Sequence, residues 1–316
     1  MPICPVCGSL SQIVAGSQFK SIVGSRPQLA ICPDCDHWFV APMPSERELD
    51  VFYRHELTMD TKAYLSQYRS KKLRAFGRIL SGIDLPTSPC VVEIGPGPIG
   101  IASIVPSSTH YVVVEPGAVN NAILAESVTQ RGLRADFIDS LGNLNALGVR
   151  FDLAFSVASF EHMISPLQAM NQLLQCAKPG AWIVLGVPLR CLEFPDEELV
   201  RRGLYSEIDY CPTHLHSFSS RSCRALLESC GVEIIGVSTT LSPGRVRSYE
   251  ELHQAWMDFV GERNNAQNLL WHLRFLLRLI VLYSYKLIDR TPRGDDRCEV
   301  VYVGRAPGTR SVAINP

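Results

Sequence analysis

The spacing of apolar positions changes character several times along the chain. Between residues 90 and 240, short and nearly unbroken apolar runs alternate with stretches of helical period. CVVEIG from Cys90, HYVVVE (110–115), FDLAFSV (151–157), AWIVLGV (181–187) and VEIIGVS from Val232 read as strands buried on both faces. A weaker strand falls at 133–138, and CEVVYVGR (298–305) reads as the last one. Helices are predicted near 99–105, 117–131, 165–177 and 219–231. Lys178-Pro179-Gly180 stops the third and Gly231 the fourth. Repeated strand–helix units predict an α/β fold, a seven-stranded, mostly parallel sheet with helices on both faces.

The flanks have other rhythms. Residues 1–42 are short, cysteine-bearing and poor in apolar periodicity, so they read as a small separate module. Residues 43–88 read as a helical cap and linker: Pro44 and Ser45 precede a first turn holding Glu46 and Glu48, and DLPTSP ends the segment. The sheet domain is predicted over 89–245, a helical insert over 246–297, and the final strand with its tail over 298–316. Within the insert, LLWHLRFLLRLIVLYSYKLI is apolar but interrupted by His272, Arg274, Arg278 and Lys286, which disfavours a membrane span. Arg274 and Arg278, four apart, share one face. The apolar remainder of 248–290 has three open uses: packing on the domain, a dimer contact, or peripheral attachment to a membrane surface.

Bulk numbers narrow the function classes. A chain of 316 residues suggests about two domains. With 46% hydrophobic and 19% charged residues it has the composition of a globular protein with a substantial core. A net charge of −1 argues against nucleic acid as the main partner, since polyanion binders carry a basic excess. The opening MPICPVCGSL has neither a basic leader nor a long apolar stretch, so a reducing, cytoplasmic setting is expected for the 11 cysteines.

Four of those cysteines form two knuckles, Cys4-Pro-Val-Cys7 and Cys32-Pro-Asp-Cys35. Two such tight turns can present four thiolates to one tetrahedral zinc ion, as in a zinc ribbon. A fully protein-ligated zinc leaves no open position, so the site reads as structural, with metal binding supplying folding energy to a segment too short for its own core. His37 directly follows the second knuckle and could replace a ligand. Cys90, Cys176, Cys223, Cys230 and Cys298 read as core. Cys211, His214 and His216 stand close in YCPTHLHSF, but no fourth metal ligand accompanies them, and a substrate-side loop is the preferred reading.

The run VVEIGPGPIG (91–100) ends a strand in G-x-G-x-x-G. Such a turn lets backbone approach a ligand at the C-terminal edge of a sheet. Glu115, at the end of the next strand, can accept hydrogen bonds from two ribose hydroxyls, a device that suits a dinucleotide or S-adenosylmethionine (SAM). Three features favour SAM. Glu93 suits a ligand carrying an ammonium group and is awkward beside a pyrophosphate. Pro96 and Pro98 remove backbone donors that phosphates would use. The following helix, soon broken by Pro106, is a poor phosphate anchor.

VVEIGPGPIG, VVVEPG, FDLAFSVASFEHMISPLQAM, AKPGAWIVLGVP and HLHSFSSRSCRALLESCGVEIIG, in this order, resemble a class I SAM-dependent methyltransferase of Rossmann-like fold. The closest likeness is to bacterial members with an N-terminal Cys4 zinc module. The resemblance implies that Gly95, Pro96 and Gly97 pass beneath the methionine moiety, that Glu115 holds the ribose, and that Ser156 and Val157 line the site. Glu93 is read either as a contact to the SAM ammonium or as a brace for the turn. Asp136 and Phe137 are placed at the adenine, with Asp139 as the competing acid. His162 is a candidate general base or a structural residue; His214 and His216 are candidate bases, substrate ligands or loop braces. Tyr53, Tyr64 and Tyr68 line the acceptor pocket or pack the cap. The implied reaction is in-line displacement at the sulfonium methyl, with alignment as the main task of the protein. The expected acceptor is a small molecule, glycan or natural-product intermediate. The alternatives are an RNA methyltransferase gripping its substrate through the zinc module, with RSKKLRAFGR supplying charge, and a non-catalytic SAM-fold protein that binds a partner.

Overall fold

The computed structural model describes residues 1–14, 27–49, 61–188, 214–240 and 299–308. The insert at 246–297, Tyr53, Cys211 and Cys298 lie outside these residues.

Seven strands build the main sheet: β4 (Cys90–Ile94), β5 (His110–Val114), β6 (Arg134–Ile138), β7 (Phe151–Val157), β8 (Ala177–Val187), β10 (Glu233–Thr240) and β11 (Glu299–Arg305). Their spatial order is β10-β11-β8-β7-β4-β5-β6. The β4, β5, β6, β7 and β8 strands run parallel, and β11 is antiparallel to both of its neighbours. The unbroken apolar runs now have a physical reason. In β4 all five residues are buried, because helices cover both faces. One core layer lies beneath Val92, Ile94, Val112 and Ala154, and the other beneath Val91, Val113, Leu153 and Phe155. Odd and even positions of β4 and β5 thus feed different cores.

The helices follow their caps. α1 (Thr61–Leu80) precedes the sheet and sends Phe76 edge-on to Phe155, with ring centroids 5.1 Å apart. α2 (Ala118–Arg131) ends at Gly132 in the left-handed region, φ 62°. α3 (Pro166–Gln175) starts with the Ser165 side chain capping Gln168 and proline in its first turn. α4 (Ser220–Ser229) opens with a reciprocal box between Ser219 and Ser222. The predicted helix at 99–105 is a single 3₁₀ turn, Ile101–Ser103.

One expectation needs correction. Lys178-Pro179-Gly180 does not separate α3 from its strand. β8 already begins at Ala177, opposite Phe151, and the register shifts before Leu153 meets Trp182. Gly180, at φ 69°, supplies the left-handed step of this irregularity, and a proline near a strand start costs few ladder bonds. The N-terminal module is tied to the main domain through its sheet. Its sheet, β1 (Gln12–Ile13), β2 (Gln28–Ile31) and β3 (Trp38–Ala41), is completed by β9 (His216–Ser217) from the main domain, in the order β1-β2-β3-β9. Trp38 faces Ser217 and Phe39 faces His216 across that antiparallel pair. The Leu167 amide bonds to Pro5 O and the Ser219 hydroxyl to Asp36 O.

Candidate functional site

Chain order reverses at β4: the next strand, β5, lies on one side of it and β7 on the other. Ligand crevices form at such switch points, beyond the C-terminal ends of the strands. Three acids gather there. Glu93 sits in β4, Glu115 follows β5 and Asp139 follows β6.

The turn after β4 is held in a shape that ordinary residues resist. Gly95 and Gly97 both have φ 58°, in the left-handed region. Gly95 is crowded: a Cβ there would stand 2.4 Å from Ser159 Oγ. Gly97 is open, with nothing within 4 Å of the same point. Pro96 is half-buried between them. Glu115 binds this turn directly, its Oε2 accepting from the Gly97 amide at 3.0 Å. Its Oε1 accepts from the Gly117 amide at 2.8 Å and from Asn120 Nδ2 at 3.2 Å. A carboxylate oxygen beside an open, strained glycine fits a ribose-bearing ligand laid along the turn.

Glu93 points elsewhere. It is 2% exposed and accepts from the Ile101 amide at 2.9 Å and from the Tyr111 hydroxyl. Burial pushes its pKa up to about 7 against those two stabilising bonds. These contacts are those of a brace beneath the turn. The third glycine of the motif, Gly100, gives this brace its room, since a Cβ there would stand 2.8 Å from the Tyr111 hydroxyl and 2.9 Å from Glu93 Oε2.

Residues 61–237, more than half of the chain, match the family described as methyltransferase domain. The chain belongs to this family. No curated protein sequence matches the methyltransferase significantly. Among solved structures it is similar to phosphoethanolamine N-methyltransferase 2 of Haemonchus contortus in complex with S-adenosyl-L-methionine. The identity is 16% and the TM-score 0.52, over 85% of this chain and 62% of that one. N-methyltransferase NodS from Bradyrhizobium japonicum, in complex with S-adenosyl-L-homocysteine, is 12% identical with a TM-score of 0.48, over 82% of this chain and 98% of that one. Coclaurine N-methyltransferase is 10% identical with a TM-score of 0.47, over 74% of this chain and 72% of the other. The fold is that of a class I SAM-dependent methyltransferase.

The remaining candidate residues of the methyltransferase divide into two groups. Ser156 and Val157 end β7 beside the glycine turn. The Ser156 hydroxyl reaches Ile94 O at 3.4 Å. The Ser159 hydroxyl lies 3.0 Å from both Ile94 O and Gly95 O, so it ties the end of β7 to the turn. Ala158 between them has φ 59°, a left-handed backbone rare outside glycine. Neither Ala158 nor Ser159 carried any signal in the sequence. Asp136 lies in the middle of β6, opposite Val112, with its Oδ2 2.6 Å from His110 Nε2. Phe137 is exposed for a large apolar side chain, at 36%. Asp139, just past β6, accepts from Asn143 Nδ2 at 2.7 Å.

The three histidines do not share a site. His216 is 2% exposed, its Nδ1 3.0 Å from His37 Nε2 and its Nε2 2.6 Å from Met163 O. Burial holds its pKa down at about 4, so it is neutral. A neutral ring donating to Met163 O must accept from His37 through Nδ1. His216 therefore braces the joint between module and domain, and His37, stacked on Phe39 and tilted against Phe218, is its partner rather than a metal ligand. His162 and His214 meet edge to face, centroids 4.9 Å apart, just beyond β7. His162 Nε2 stands 3.7 Å from Glu161 Oε1.

The four N-terminal cysteines converge, resembling a structural zinc site. Cys4 and Cys35 sulfurs are 3.6 Å apart, Cys7 and Cys32 sulfurs 3.5 Å apart, and all four lie within 4.8 Å of one another. Zinc–sulfur bonds of about 2.3 Å place tetrahedral ligand sulfurs roughly 3.8 Å apart. Each knuckle closes with an amide bonding back to its first cysteine, Gly8 to Cys4 O and Asp36 to Cys32 O, both 3.0 Å. Both closing residues are left-handed, Gly8 at φ 78° and Asp36 at φ 56°. Cys4 and Cys35 share one S–H···S contact, which holds the Cys4 thiol below its ordinary range and pushes Cys35 up. Crowded sulfurs of this kind fit a bound cation. Among the described residues, no helix is long and apolar enough to cross a membrane.

Proposed function

We propose that the enzyme transfers a methyl group from SAM to a small-molecule acceptor, a glycan or natural-product intermediate included, and that its Cys4 cluster holds a structural zinc ion. One observation carries the reading: Glu115 bonded to the amide of the left-handed Gly97, which leaves an open flank at the switch point of the sheet.

Bound SAM supplies a methyl group on a sulfonium whose leaving group is already activated. Gly95 and Gly97 bring backbone close to the cofactor without side-chain interference. Glu115 accepts from the ribose hydroxyls. Phe137 offers an apolar face to the adenine, and Asp139 takes the acid role there in preference to Asp136, which is turned to His110. Glu93 keeps the turn from collapsing. His162 and His214, beyond β7, face the acceptor side. With the leaving group prepared, these residues mainly align the acceptor and exclude water. The near-neutral charge of the chain supports a small acceptor over RNA.

Calorimetric titration with S-adenosylhomocysteine, with NADH as control, tests the reading. Micromolar or tighter binding of the former alone is expected. Binding of neither, or of NADH alone, overturns it.

A further inference from the structure

A second cluster of metal-type ligands lies outside the zinc module. Glu161, His162 and His214 each offer a donor atom, and all three atoms lie within 4.8 Å of one another. The residues come from two segments clamped together. Glu161 and His162 belong to the 3₁₀ turn Phe160–His162 that follows β7, and the Leu215 amide bonds to Glu161 O at 2.8 Å, fixing His214 alongside. His216, two residues on, anchors the same strand end to Met163 O. The donors are thus held by one backbone hydrogen bond and one side-chain anchor.

We propose that Glu161, His162 and His214 bind a divalent first-row transition ion at the acceptor end of the active site. Two imidazoles and one carboxylate suit zinc, iron, cobalt or nickel better than magnesium or calcium. The burial pattern fits a working site. Glu161 is 1% exposed, and a carboxylate so deep favours a cationic neighbour. The His162 side chain is 29% exposed and His214 is half-buried, so one side stays open. Three protein ligands with an open side leave coordination positions for water or substrate, in contrast to the closed Cys4 cluster. The open side lies just past β7, whose end is tied by Ser159 to the glycine turn. An oxygen of the acceptor coordinated there is held in place for the methyl group. That use rests on the methyltransferase reading; metal binding does not.

The test uses the full chain with its Cys4 cluster loaded with one zinc per molecule. Cobalt(II) alone is added at neutral pH, and binding is followed by calorimetry and visible absorption, with released zinc measured. One further cobalt ion per chain is expected, without zinc release. His162→Gln, His214→Gln and Glu161→Gln each weaken it about 10-fold or more, while melting temperature and S-adenosylhomocysteine binding are retained. Absence of cobalt binding beyond the zinc cluster overturns the proposal, as does unchanged affinity in the variants; either outcome leaves Glu161 and His162 as a plain side-chain contact. If Glu161→Gln does not fold, the half-buried His214→Gln decides. Cobalt binding without S-adenosylhomocysteine binding would remove the cofactor reading and leave the metal site standing.

Discussion

Glu93 keeps its proton in a range where most carboxylates have lost theirs, with a folded pKa of about 7 against an ordinary 4.5. The folded state therefore holds this proton more tightly than the unfolded chain. Its contribution to stability is full below about 4.5 and is lost as pH rises through about 7, a swing of about 3 kcal/mol. In Glu93→Gln that slope should vanish, so denaturant titrations at pH 5 and pH 8 should differ less than in the wild type. The glycines of the turn separate by the same logic of surroundings. Gly97→Ala places a methyl in open space, and its strain should cost only about 1–2 kcal/mol of stability. The methyl fills the flank proposed for the cofactor, so S-adenosylhomocysteine affinity should fall at least ~10-fold, or about 1.4 kcal/mol. Gly95→Ala should destabilise more, because it adds overlap with Ser159 to the same strain. Melting temperatures of the two variants check the order.

Among the elements, the two-residue strand β9 does more than its length suggests. It carries His216, whose folded pKa of about 4 lies below the ordinary 6.5. A histidine held neutral favours the folded state fully above 6.5, and this contribution is lost as pH falls through about 4, again about 3 kcal/mol. His216→Gln should remove that part of the acid limb. The measurement is the difference between variant and wild type from pH 7 to pH 4.5, so that titration of the cysteines cancels. This element was also the hardest to read in the sequence. β4, β5 and β7 announced themselves, since burial on both faces leaves an unbroken apolar run. β9 has two polar residues and no periodicity, and its partner β3 is far along the chain. Pairing over such a separation leaves no local pattern. The start of β8 was hidden for another reason: Lys178-Pro179-Gly180 carries the chemistry of a helix stop, and only the neighbouring strand makes it a bulge.

At the scale of the whole molecule, module and domain share one interior. Cys4, Val6, Ala30 and Phe39 belong to the same core as Phe160, Phe218 and Leu226. Stripping the proposed zinc with a strong chelator should therefore lower the melting temperature of a single transition by at least about 5 °C. Two separate transitions would mean an independent module. The candidate site was legible to a similar mixed degree. The glycines, Glu115 and the cysteine knuckles carry their chemistry in local spacing. The roles of His37, His216 and Asp136 depend on what stands opposite them, which spacing does not encode. The distance between His37 and His216, 179 positions along the chain, also sets a timetable. During synthesis the knuckles emerge first, but the outer edge of β3 waits for β9. At ribosomal speeds of about 5–20 residues per second, that interval is roughly ten to forty seconds. Throughout it the nascent chain carries an uncovered strand edge, open to whatever else can pair with it.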